Sequence, residues 1–134
     1  MRRLRKEVRK VGFRSKFEMD IAEWLTKRGI KYEYEPCKID YVVPESKHKY
    51  TPDWLLEGDK AIFYESKGRL TAADRKKLIL FRLSNPHITI RLIFMNANVK
   101  ITKNSKTSYA DWSDKNGFEW CDWSKGIPKA WLNT

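Results

Sequence analysis

A chain of 134 residues and 16.0 kDa has material for one ordinary core, and at 41% hydrophobic and 13% aromatic residues it is too apolar to stay disordered. The 28 Lys and Arg against 17 Asp and Glu leave a formal charge of +11, a field that draws polyanions to the surface, nucleic acid above all. No uncharged run is long enough to span a bilayer and no apolar signal core follows the basic start, so the sequence predicts a soluble, cytoplasmic, single-domain protein over residues 1–134 with no membrane association.

Residues 1–14, MRRLRKEVRKVGFR, are strongly basic and offer little to a core. They read as an N-terminal arm, either a solvated tail or a strap against phosphate. From Ser15 the apolar residues Phe17, Ile21, Trp24 and Leu25 recur at helical spacing and Gly29 supplies a stop, which predicts an amphipathic helix. KYEYE (31–35) and KIDYVV (38–43), around Pro36 and closed by Pro44, predict extended segments, and the polar ESKHKY (45–50) reads as a link. Two short apolar runs around Trp54 and Phe63 follow, separated by Gly58-Asp59-Lys60. Thr71 with Asp74 three residues on starts a second helix, which carries Leu78, Phe81 and Arg82 and ends at Asn85-Pro86. ITIRLIFM (88–95) suits an inner strand buried on both faces, and a short helix is expected from about Thr107 to Asn116 before a Trp-rich end. The alternation of helices and strands predicts an α/β fold, a mixed central β-sheet flanked by helices. Cys37 and Cys121 lack metal-type spacing and read as reduced thiols. The six Trp are assigned to packing, and His48 to a structural or solvent-facing place.

The chemistry concentrates in YTPDWLLEGDKAIFYESKG (50–68). An antiparallel hairpin through Gly58-Asp59-Lys60 sets Trp54 opposite Tyr64 and Leu56 opposite Ile62 on one apolar face, and Asp53 opposite Glu65 on the other. A slip of one residue would mix acids into the apolar face. Like charges directly opposite each other destabilise a sheet, and a divalent cation compensates: Mg²⁺ takes one or two protein carboxylates together with substrate phosphate. Alternation puts Lys67 on the same side as Glu65, where an amine can orient water, assist its deprotonation or offset charge on phosphorus. A surface hairpin with ordinary ion pairs is the competing account of the same residues. Read locally, Ser15-x-x-Glu18 is a capping box in which the carboxylate reaches back to a backbone N–H.

Pro52-Asp53, a gap, and Glu65-Ser66-Lys67 match the PD-(D/E)-x-K nuclease signature. Together with RKVGFRS, KRGIKYEYE, YVVP, YTPDWLL, ESKG, DRKKL and TSYADW in order along the chain, they resemble endonuclease I of the short-tailed T-odd bacteriophages. The loop between Asp53 and Glu65 is slightly longer than that pattern, which bears on loop contacts and not on the chemistry. The resemblance implies a restriction-endonuclease-like core in a strand-exchanged homodimer, with residues 44–49 as the bridge and active sites shared between the chains. It implies a structure-selective endonuclease that resolves four-way (Holliday) and other branched double-stranded DNA, leaving 5′-phosphate and 3′-hydroxyl ends, in the host cytoplasm if phage-encoded. Mg²⁺ or Mn²⁺, two ions per site, is the implied cofactor, held by Asp53, Glu65 and the Ser66 carbonyl. Lys67 is the implied catalytic lysine, Glu18 enters from the other chain, and Glu33 matches a further acidic position. Phosphate contacts are expected from Arg5, Arg9, Lys10 and Arg14 of the arm and from Arg69, Arg75, Lys76 and Lys77. A restriction-type nuclease acting on linear DNA and a non-catalytic junction-binding protein are the alternatives.

Overall fold

In the computed structural model, which describes residues 12–43, 46–56 and 61–132, the first regular element is helix α1 (Lys16–Lys27), capped by the Ser15 hydroxyl, which accepts the Glu18 N–H at 3.1 Å. Strands β1 (Tyr32–Tyr34), β2 (Ile39–Val43), β3 (Ser46–Tyr50), β4 (Trp54–Leu56) and β5 (Ile62–Lys67) follow. Then come α2 (Ala72–Ser84), β6 (Thr89–Phe94), α3 (Tyr109–Lys115), β7 (Glu119–Asp122), a 3-10 turn (Trp123–Lys125) and α4 (Lys129–Leu132). The arm residues Arg5, Arg9 and Lys10, the Pro44-Glu45 part of the expected bridge and the turn at Gly58-Asp59-Lys60 lie outside the described residues.

The central sheet runs β1-β4-β5-β6-β7. Its first three strands are antiparallel neighbours and its last three are parallel, so the sheet is mixed, as the order of elements predicted. Trp54 pairs with Tyr64 in the register that the apolar pattern selects. Alternation then divides the hairpin between two cores. Trp54, Leu56 and Tyr64 pack with Phe17, Ile21 and Leu25 of α1 and with Ile93 and Trp131. Phe63 faces the opposite layer, with Leu78 and Phe81 of α2, Leu92, Phe94 and Trp112. Each such side chain, fully buried, contributes about 1.5–3 kcal/mol. The sheet is thus covered on both faces, and β6 is buried between strands as well as between layers.

Two readings of the sequence change. Residues 46–50 are not a link: they form β3 and pair with β2 of the same chain, from Ile39 opposite Tyr50 to Val43 opposite Ser46, so residues 46–49 of the expected bridge are strand. The Trp-rich end contains an edge strand, β7, parallel to β6. The β2–β3 hairpin is tied to α2 where the Val42 N–H donates to Ser84 Oγ at 3.0 Å and Asn85 Nδ2 donates to the Asp40 carbonyl at 3.0 Å. His48 sits beside Tyr41 in this hairpin, ring centroids 5.5 Å apart. Both cysteines are free, Cys121 buried on β7 and Cys37 exposed. Among the described residues no helix is long and apolar enough to cross a membrane.

Candidate active site

The sheet opens where β4 meets β5. Regular pairing reaches Trp54 and Tyr64, and just beyond it side chains replace main-chain partners. The Asp53 N–H donates to Glu65 Oε1 at 3.2 Å, and the Ser66 N–H donates to Asp53 Oδ2 at 2.9 Å. The Ser66 hydroxyl donates to the same Oδ2 at 2.8 Å and accepts from the Trp54 indole at 3.4 Å, so the core tryptophan helps to orient the acid. Pro52, fully buried and without an N–H, precedes Asp53 at this divergence. These cross-strand bonds hold both carboxylates at the mouth of a cleft of about 370 Å³, lined also by Arg14, Glu18, Glu35, Lys49, Tyr50, Thr51, Lys67 and Lys77.

Burial and the neighbouring Glu65 charge push the Asp53 carboxyl up to about 7, against the hydrogen bonds from Ser66. Burial also raises Glu65, with Lys67 pulling the other way. Burial disfavours the charge on Lys67, yet Glu65 and Asp74 outweigh it and its pKa is raised, so the side chain is an ammonium at neutral pH. Its Nζ lies 3.3 Å from Glu65 Oε2 and 3.2 Å from Asp74 Oδ1. The Tyr50 hydroxyl is buried and lacks a well-formed hydrogen bond; burial and the Glu65 charge raise its pKa well above the ordinary tyrosine value. Lys77 lies over the Tyr50 ring, 4.9 Å from its centroid.

The donor set suits a hard cation. Two carboxylates converge, and the bonds to Asp53 run through Oδ2, leaving Oδ1 available. Ser66 contributes a carbonyl on the same side, because the N–H and C=O of a strand residue point in one lateral direction and the Ser66 N–H points to Asp53. Among the described residues no three His, Cys, Asp or Glu side chains gather as a metal cluster. Two acids, one carbonyl and room for water and phosphate match Mg²⁺ or Mn²⁺ far better than a closed zinc site.

Glu18 lines this cleft from the same chain that supplies Asp53. Its carboxylate does not close a reciprocal capping box on Ser15; Oε1 accepts the Arg14 N–H at 3.0 Å and the Tyr34 hydroxyl at 2.7 Å. Phe13 packs on Tyr34 and Trp54, with centroids at 4.6 and 5.6 Å, which brings Arg14 to the cleft, where it pairs with Glu35 at 2.9 Å. Glu33 does not line the cleft. It is exposed on β1 opposite Leu55, one pair beyond Tyr34, so the acid that β1 delivers is Glu35, whose N–H donates to the Asp53 carbonyl at 2.8 Å. Lys77 lines the cleft, and Arg69 and Lys76 are exposed nearby in sequence. Arg75 Nη1 donates to the Leu70 carbonyl at 2.8 Å and to the Ile101 carbonyl at 3.4 Å, which ties the side chain to a loop. Sequence reasoning missed Lys49, Tyr50, Asp74 and Glu35 as members of the site. Tyr50 and Lys49 were discoverable only with β3 recognised as a strand.

The family described as Phage endonuclease I matches residues 1–134. Endonuclease I of Escherichia phage T7 is 44% identical over 128 residues, covering 95% of this chain and 83% of the relative. Endodeoxyribonuclease 1 of Enterobacteria phage T3 is 45% identical over 119 residues, covering 89% of this chain and 76% of the relative.

Proposed function

The chain belongs to the phage endonuclease I family, and from that premise we propose that it hydrolyses phosphodiesters in branched double-stranded DNA, four-way junctions above all, with a bound divalent metal. The observation that carries this reading is the pair Asp53 and Glu65, stitched across two diverging strands with Asp53 pushed up to about 7. Such a pair is poorly placed for stability and well placed to exchange its proton, lost to solvent, for an arriving cation.

Asp53, Glu65 and the Ser66 carbonyl would hold Mg²⁺ or Mn²⁺, two ions per site. The metal would supply Lewis-acid chemistry for attack of water on phosphorus and for departure of the 3′ oxygen, leaving 5′-phosphate and 3′-hydroxyl ends. Lys67, already an ammonium, is suited to donate hydrogen bonds and offset charge on the phosphate oxygens, not to act as a base. Arg14, Lys49 and Lys77 flank the acids and would fix the backbone of the bound strand.

The proposed assembly is a two-fold homodimer. Opening the β2–β3 hairpin at 44–45 would let each half of one chain make its pairings with the complementary half of another, so that Glu18 of one chain meets Asp53 of its partner. The proposed place of action is the host cytoplasm.

The test is cleavage of a synthetic four-way junction, and of linear DNA of the same sequence, with Mg²⁺ and with chelator. Junction cutting that chelator abolishes supports the reading. Preferential cutting of the linear DNA would favour a restriction-type enzyme, and tight binding without cutting would favour an architectural protein.

A further inference from the structure

Lys67 is held by two acids, only one of which lines the cleft. Asp74 sits in the first turn of α2, where Oδ2 accepts the Thr71 N–H at 3.0 Å and its own N–H donates to Thr71 Oγ1 at 3.1 Å. A capping box uses one carboxylate oxygen. The other, Oδ1, is turned to the Lys67 ammonium at 3.2 Å, and Glu65 Oε2 lies 3.3 Å from the same ammonium.

The geometry points to Asp74 as a positioning residue that draws the Lys67 ammonium away from Glu65 and holds it at the edge of the cleft. The inference rests on the proposed reading of Glu65 as a cation-holding acid. With Glu65 as sole partner, a largely buried ammonium would close to the roughly 2.7–2.9 Å of a charge-assisted pair and cover Oε2, an oxygen that a cation needs. Two competing carboxylates leave Lys67 at near equal distances from both, longer than a closed pair, with donor capacity for phosphate. One ammonium between two acids also preserves negative charge beside Asp53. Because Asp74 belongs to the helix that carries Lys76 and Lys77, the phosphate-binding face and the catalytic lysine share one rigid support.

The test separates this contact from the helix cap. D74N keeps an oxygen for the Thr71 N–H but loses the charge that faces Lys67; T71A removes the capping hydroxyl and leaves Asp74 in place. For Mg²⁺-loaded enzyme on a four-way junction, D74N is expected to lower kcat by about ten- to a hundredfold with KM within about twofold, the usual scale for losing an orienting group. T71A is expected to lower Tm and keep kcat. Wild-type kcat in D74N, or an equal fall in both variants, overturns the assignment. A second measurement needs no turnover: the Lys67 ε-methylene NMR resonances of the metal-free protein should shift in D74N and stay in place in T71A, and unchanged resonances in D74N would overturn it too. If the wild-type protein cuts no DNA, the nuclease reading fails, while the resonances still decide the Asp74 contact.

Discussion

Asp53 shows what the site costs the fold. Its carboxyl titrates near 7 in the folded chain, with burial first and Glu65 second as causes, against an ordinary value of about 4 when unfolded. Between those values the folded chain keeps a proton that the unfolded chain has released, so stability falls as pH rises from about 4 to about 7 and stays low above it. Metal-free D53N should therefore be more stable than wild type at pH 8 by about 1–3 kcal/mol, and the difference should vanish near pH 4. Urea unfolding in chelator at the two pH values checks this. Added Mg²⁺ should raise the stability of the wild type at pH 8 and leave D53N nearly unmoved. E65Q and K67A should abolish junction cleavage while a gel-shift without metal shows binding retained; equal loss of binding would point to misfolding. At this scale the approach of Asp53 to Glu65 was readable from period-two alternation, but its form was not: the regular pairing is at Trp54 and Tyr64, and the two acids meet through bonds to main-chain N–H groups instead of as a ladder pair. The partner acid Asp74 was not, because Thr71-x-x-Asp74 reads fully as a helix cap and nothing local shows that the second oxygen is spent on Lys67.

Among the elements, α1, α2 and α3 announce themselves through an N-cap and apolar spacing: Ser15, Thr71 and Ser108 each accept the N–H three residues on. β6 is equally plain as an apolar run. β3 and β7 are not, and for different reasons. In SKHKY the side chains of Lys47, His48 and Lys49 are exposed and that of Tyr50 is buried, so the polar majority imitates a loop. EWCD is four residues long at a sheet edge, and its pairing with β6 is a long-range contact that leaves no local periodicity. The basic start of α2 likewise sorts only in three dimensions. Arg75 bridges the Leu70 and Ile101 carbonyls, whereas Lys77 faces the cleft. R75A is thus expected to lower Tm and leave the salt dependence of DNA binding unchanged. K77A should reduce the slope of log K against log salt by about one while preserving Tm. Binding titrations from 50 to 200 mM salt, set beside thermal melts, decide between the two roles; a reduced slope in R75A would place it in the phosphate-binding set.

The whole molecule carries +11 around a cleft whose lining acids and bases are equal in number, so long-range attraction would draw a polyanion towards the protein while the cleft lining itself carries no excess of either sign. Within one chain, Glu18, Asp53 and Glu65 already line one cleft. An exchanged dimer would preserve every one of those contacts, because a swap through the β2–β3 hairpin alters only the connection at 44–45 and keeps the pairings of β1 with β4 and of β2 with β3. Single-chain and exchanged forms therefore predict the same site and differ in which chain owns each acid. E18Q and D53N, each inactive alone, separate them. After the two are unfolded and refolded together, an exchanged heterodimer has one site built from an intact Glu18 on the D53N chain and an intact Asp53 on the E18Q chain, and a second site with both substitutions. Cleavage should return at one site per heterodimer, nicking one strand of a junction, not both. Mixing the folded variants without denaturant should restore it only as slowly as the chains exchange. A verified heterodimer that stays inactive would mean that each chain completes its own site, and shared active sites would then be discarded while the metal chemistry at Asp53 and Glu65 stood.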